Sequence, residues 1–139
     1  MRIFTSYYKN IGFLKTHGVL PVSISRFPPS DFDGPVVFTL APSADLLMRQ
    51  KSNPDWKQYR IDFYGQLIMN DVAALCDELH QISDENGGCD LALCCYEEPK
   101  MNCHRHIVAD FMNEFGILGG NVHEYTGKDT LPEFDEALF

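Results

Sequence analysis

Short apolar runs dominate the start of the chain, and three- and four-residue apolar steps take over further along. Residues 2–8 form a β-rich run, and residues 22–26 fit a second strand that Pro28 and Pro29 end. Residues 36–40 fit a third, bounded by Gly34-Pro35 and Pro42. Ser43 can cap a short helix to about Gln50. Asn53 followed by Pro54 then reads as a cap with proline at the first helical position, opening a helix to about Met69. Asn70 or Asp71 restarts the chain, and Ile68, Val72, Leu75, Cys76, Leu79 and Ile82 form one apolar stripe that Gly87-Gly88 ends.

Residues 89–96 (CDLALCCY) are a nearly unbroken apolar run of strand length, interrupted only by Asp90. Such a run suits a central strand covered on both faces. After the loop EEPKMN, a helix opens at Cys103 with Asn102 as its expected cap. Ile107, Val108, Phe111, Met112 and Phe115 supply its buried face and Gly116 its stop. Residues 122–125 fit a last short strand. Strand, helix, strand implies a right-handed parallel crossover, with ligands gathered outside the carboxyl ends of the strands. The expectation is an α/β fold: one three-layer domain over residues 1–126 with a mostly parallel central sheet, followed by an acidic tail over 127–139.

Composition narrows the class. The 139 residues are 45% hydrophobic and 22% charged, as in a globular protein. No apolar run nears the roughly 20 residues that cross a bilayer. The start lacks the order of a secretory signal. The expectation is a cytoplasmic protein with no membrane partner. Its five cysteines, an odd number without an export signal, read as reduced thiols.

Charge is unevenly placed. Residues 1–60 carry 8 basic and 4 acidic groups, whereas residues 61–139 carry 3 basic against 16 acidic, giving −9 overall. That field argues against a long nucleic acid lying across the surface and leaves room for a small cationic pocket.

The segment CCYEEPKMNCHRH, residues 94–106, carries the chemistry. It places Cys103, His104 and Arg105 at a helix start, with His106 next. Unpaired backbone N–H groups and the positive dipole end lie there, so each added cation costs roughly 0.3–1 kcal/mol. An anion compensates: a bound ligand, or an internal carboxylate such as Glu97 or Glu98. In that field Cys103 is a candidate nucleophile, His104 or His106 an acid/base, and Arg105 an anion clamp. The plainer reading is a small helix-start residue with Arg105 tied to a structural carboxylate. A zinc or iron site drawn from Cys95, Cys103, His104 and His106 is the third, less favoured for want of a second ligand pair, and no metal or other cofactor is assigned.

Cys94 and Cys95 point to opposite sheet faces, so at most one can join the site. Cys76 and Cys89 read as core. Thr5, Ser6, Tyr7 and Tyr8 end the first strand, and Ser25 and Arg26 the second, where side chains reach ligands in α/β sheets. Trp56, Tyr59, Phe63 and Tyr64 form an aromatic stripe at helical spacing, read as core. His17, His80 and His123 have no partner pattern.

The segment CYEEPKMNCHRHIVADFM resembles the signature of domain-of-unknown-function family 488: a strand ending in cysteine and glutamate, a loop, and Cys-His-Arg opening a helix. IFTSYY, ISRFPP and LAPSADLL are also similar to its smaller members, so the resemblance spans most of residues 2–126. It implies a small Rossmann-like α/β fold and makes Glu97, Cys103, His104 and Arg105 the motif residues, with Arg26 and Ser6 as weaker correspondences. The doubled Cys94-Cys95 and His106, where small residues are usual, depart from the pattern. The resemblance implies a site and names no reaction.

The resulting expectation is an enzyme acting on a phosphate-bearing or other anionic substrate, a nucleotide or a nucleic-acid end. Cys103 or His104 carries the chemistry, Glu97 orients His104 or Arg105, and Arg105, Arg26 and Ser6 bind substrate. The alternative is a non-catalytic anion- or nucleotide-binding or protein-interaction module built on the same helix start.

Overall fold

The computed structural model of the chain describes residues 1–96 and 103–127. Four parallel strands form one sheet in the order β2-β3-β1-β4: β1 Ile3–Tyr7, β2 Val19–Ser23, β3 Asp90–Cys95 and β4 His123–Glu124. Helices α1 (Ile11–Thr16), α2 (Ala44–Ser52), α3 (Trp56–Ile68), α4 (Val72–Asp84) and α5 (His104–Glu114) complete a three-layer Rossmann-like α/β fold. No helix among the described residues is long and apolar enough to cross a membrane.

The strand register sorts side chains between two faces. Thr5, Leu93 and Val22 share one row, and Ser6, Cys94 and Ser23 share the next. Because successive residues point to opposite faces, Ile3, Leu91, Leu93, Val22 and Ile24 meet Phe63, Leu75, Leu79, Ile107, Val108 and Phe111 in the main core. Each such aliphatic side chain contributes about 1.5–3 kcal/mol by leaving water. The opposite face carries a smaller cluster of Phe4, Ala92, Cys94, Leu14, Val19 and Tyr125. Sheet and register thus send Cys95 toward α5 and Cys94 away from it.

Side-chain caps start three of the helices. Ser43 accepts from the Leu46 N–H, Asp55 from Gln58 and Asp71 from Ala74, each at 3.1 Å. Asp55 thus displaces the expected cap Asn53: its carboxylate sits three residues before the N–H it accepts, and α3 begins at Trp56.

Two strand expectations are corrected. The second strand begins at Val19, three residues early, and contains Pro21. β2 is an edge strand, so the proline withholds no N–H that a ladder needs. The third is absent: residues 36–40 give one bridge, Val36 to Ser23, and a 3-10 turn at Phe38–Leu40. Arg26 donates to the carbonyls of Phe38, Ala41 and Pro42 at 3.5, 3.3 and 3.0 Å, which satisfies them outside any ladder.

Candidate functional site

The end of β3 and the start of α5 meet at the carboxyl edge of the sheet. Cys103, in extended backbone geometry (φ −147°, ψ 146°), is the N-cap of α5. This corrects the expectation of Asn102, which lies outside the described residues, and moves Cys103 from the first turn to the residue before it. Cys103 makes no side-chain capping bond. Its sulfur pairs instead with that of Cys95 at disulfide distance. Cys76, Cys89 and Cys94 are free thiols as expected, whereas the Cys95 and Cys103 sulfurs lie at disulfide distance. Cys94, on the far face, is fully buried, and burial pushes its thiol up to about 12.

Arg105 is the largest fully buried side chain of the chain's described part. Its Nε and Nη2 donate to Glu124 Oε1 and Oε2 at 3.1 and 3.4 Å, and its Nη1 donates to Cys95 Sγ at 3.0 Å. Thr5 Oγ1 steadies Glu124 by donating to Oε1 at 2.7 Å, and the Tyr7 ring lies 5.7 Å from the guanidinium carbon. The compensating anion for this cationic helix start therefore includes an internal carboxylate, supplied from β4. The roles expected of Glu97 and Glu98 fall on residues outside the described part.

His104 is half-buried by area because one edge opens on a cleft, yet its ring sits deep. Nε2 lies 2.7 Å from the Ile24 carbonyl, which can only accept, so Nε2 carries the proton and Nδ1 the lone pair. Burial holds its pKa down to about 4, against the opposing pull of the Ile24 bond and with help from the neighbouring Arg105 and His106. His104 is therefore neutral at pH 7. His106 Nε2 is buried with no hydrogen-bond partner among the described residues, and His106 stands two residues along the helix from His104.

Two openings flank His104. One, about 450 Å3, is lined by Cys103, His104, Leu47, Gln50, Lys51, Trp56 and Tyr59. The other, about 170 Å3, is lined by His104, Ser25, Arg26, Phe27, Leu47 and Tyr96, among others. Trp56 stacks on Tyr59 with ring centroids 5.3 Å apart and planes 18° from parallel. Arg26 is thus brought beside His104, although its guanidinium is engaged with backbone carbonyls and lies 5.3 Å from the Phe38 ring.

Ser6 is not brought to this site. It lies in the row of Cys94 on the other face, fully buried, and accepts from Asn10 Nδ2 at 3.0 Å. A larger cavity of about 650 Å3, with Lys9, Lys15, Asp31 and Asp33 on its walls, contains neither Cys103 nor His104.

Sequence reasoning missed Glu124 and Lys51, and it read Trp56, which is half-buried against the core and lines the cleft, as core alone. Glu124 was findable as the lone carboxylate of the last strand. Lys51 and Trp56 lie on either side of the α2–α3 junction and meet the site only through tertiary packing.

No curated protein and no solved structure matches the chain significantly. A family model does: residues 14–116 match the one described as the active DUF488-N3 subclade, spanning β2, β3 and the whole Cys-His-Arg helix. On that match, over well more than half of its length, the chain belongs to the DUF488-N3a family.

Proposed function

We propose that the reduced protein is a thiol-dependent enzyme acting on a small phosphate-bearing substrate of the nucleotide class. The observation that carries this reading is the 450 Å3 cleft in which Cys103 and His104 share walls with Lys51, Gln50 and the Trp56–Tyr59 pair. An aromatic face suits a base, a nearby ammonium suits its phosphate, and a compact cleft suits a mononucleotide better than a polymer.

Cys103 is the nucleophile. As the N-cap of α5, Cys103 stands at the positive end of the helix dipole, which favours the thiolate. His104, locked by Ile24, offers Nδ1 to take the thiol proton. With the disulfide closed its pKa is held near 4, and an adjacent thiolate pulls that value back up, as in other Cys–His pairs. Arg105 acts as a positioning residue that holds Cys95, while Lys51 and Arg26 take the anion-binding role. With the Cys95–Cys103 bond closed the nucleophile is masked, so activity belongs to the reduced form.

The test uses the full chain with reductant and chelator against a panel of nucleoside mono-, di- and triphosphates. Wild type is expected to turn over one class. Iodoacetamide should label Cys103 at least about tenfold faster than a free model thiol, and that nucleotide should slow the labelling. C103S should lose turnover and keep affinity within a few-fold. Binding without turnover at any panel member would support the non-catalytic binding module instead. Labelling no faster than the model thiol, with no protection, would remove the nucleophile assignment.

A further inference from the structure

Cys95 Sγ, Cys103 Sγ and a ring nitrogen of His104 all lie within 4.8 Å of one another, the one group of this kind among the described residues. Three further features of the site bear on what the same atoms do when the sulfurs are free.

The first is the tautomer. His104 donates its Nε2–H to the Ile24 carbonyl at 2.7 Å, which leaves Nδ1 as the nitrogen with a free lone pair. A ring N–H fixed on a backbone carbonyl is the usual outer-shell support of a metal-bound imidazole. The second is the Arg105 Nη1–H, which donates to Cys95 Sγ at 3.0 Å. An N–H aimed at sulfur favours the thiolate, the form that binds metals. The Glu124 carboxylate offsets the guanidinium charge, so this donor adds little repulsion toward a cation. The third is mounting. Cys95 ends a central strand, and Cys103 and His104 open a helix whose next residue is fully buried, so all three sit on the rigid part of the fold.

We propose that the reduced chain binds one zinc-class divalent cation through Cys95 Sγ, Cys103 Sγ and His104 Nδ1, with a fourth position open to the cleft at Lys51 and Gln50. Tetrahedral zinc with bonds of about 2.3 Å to sulfur and 2.0–2.1 Å to nitrogen sets its ligand atoms roughly 3.5–3.8 Å apart. The two sulfurs and a ring nitrogen of His104 already lie within 4.8 Å of one another, and opening the disulfide lets the sulfurs separate to the tetrahedral spacing. The balance is simple. A thiol reductant gives two electrons and two protons to the disulfide and is itself oxidised to a disulfide, and the cation then displaces the two thiol protons. Two soft thiolates and one imidazole select zinc, cobalt or copper(I) over magnesium or calcium. Three protein ligands with one open position is the pattern of zinc sites that take a water or a substrate. The Cys103 sulfur cannot be ligand and nucleophile at once, so this proposal stands apart from the thiol-enzyme reading, which is tested in chelator.

The experiment is anaerobic titration of the phosphine-reduced full chain with Co2+ and then Zn2+. One Co2+ per chain is expected, with sulfur-to-cobalt charge-transfer absorption in the near ultraviolet and visible bands of tetrahedral intensity, both bleached by Zn2+. C95S and C103S should each remove about half of the charge-transfer intensity. H104Q should weaken affinity by at least the roughly 10–100-fold that outer-shell losses alone cost. Should a variant fail to fold, the oxidised wild type serves as the control with unchanged sequence, and it should bind no cobalt through sulfur. Reduced protein that shows no charge-transfer band overturns the proposal. So does reduced protein that binds Co2+ no more tightly than the oxidised form.

Discussion

Arg105 and Glu124 form a two-point ion pair, at 3.1 and 3.4 Å, in which the guanidinium is wholly buried and the carboxylate keeps a quarter of its side-chain surface exposed. The two partners are therefore not equivalent when one is removed. Losing Glu124 takes two hydrogen-bond acceptors and a compensating charge from a guanidinium that cannot reach water, whereas losing Arg105 leaves a carboxylate that can turn toward solvent. Breaking a buried pair from one side costs about 3–5 kcal/mol. E124Q is expected to fall near the bottom of that range, since glutamine still accepts a hydrogen bond, and R105M to cost less, about 1–2 kcal/mol. Urea unfolding of the two variants checks the order, and R105M as the costlier change would refute it.

The two adjacent cysteines of β3 should react oppositely after reduction. Both are fully buried, but Cys95 faces α5 beside the Arg105 Nη1–H, which favours its thiolate, whereas Cys94 lies on the other face with its thiol pushed up to about 12. At pH 7.5 the thiolate fraction of Cys94 is then about one in ten thousand or less. Peptide mapping after brief alkylation of the native reduced protein should find Cys103 and Cys95 modified and Cys94 untouched. In denaturant all should react alike. Cys94 modified at a comparable native rate would contradict its placement.

The cap of α4 gives a test of the fold that leaves the site alone. Asp71 accepts the Ala74 N–H at 3.1 Å and lies at the start of a helix whose apolar stripe, Leu75 and Leu79, is fully buried. D71A is expected to lose about 1 kcal/mol, and D71S to recover most of it. Thermal or urea melts of the three proteins decide this, and no difference between alanine and serine would mean the capping bond contributes nothing.

Much of this architecture was legible because its signals are local. The run 89–96 is apolar on both faces, which only a central strand explains, and the α4 stripe repeats at helical spacing. Alternation alone assigned Cys94 and Cys95 to opposite faces. The failures share a different cause. Residues 36–40 have strand-like composition, but after the single bridge from Val36 to Ser23 the chain closes into a 3-10 turn at Phe38–Leu40, and Arg26 reaches the Phe38 carbonyl, a tertiary contact. Glu124 bonds Arg105 from 19 residues away and arrives by pairing β4 beside β1, which no local pattern announces. Lys51 and Trp56 belong to the cleft only because α2 and α3 pack where α5 begins.

His104 makes stability depend on pH in a direction that can be worked out. Its pKa is lowered from the ordinary 6.5 to about 4 in the folded chain, chiefly by burial. Above about pH 6.5 the imidazole is neutral whether the chain is folded or not, and its contribution is complete. As pH falls from 6.5 toward 4 the unfolded chain binds a proton that the folded chain refuses, so stability drops through that window. Below about 4 both forms are protonated and the loss levels off. The drop amounts to about 3.5 kcal/mol at most, each pKa unit being worth about 1.4 kcal/mol. Carboxylates titrate in the same window, so the comparison must be with H104Q, whose amide can still donate to the Ile24 carbonyl and cannot be protonated. The stability difference between wild type and H104Q, measured by urea unfolding at pH 7.5 and at pH 4.5, should move in favour of the variant at the lower pH by about 2 kcal/mol. A pH-independent difference would mean that the folded chain protonates His104 as readily as the unfolded one. The imidazole would then not be the enclosed, neutral group that both the nucleophile and the metal readings require.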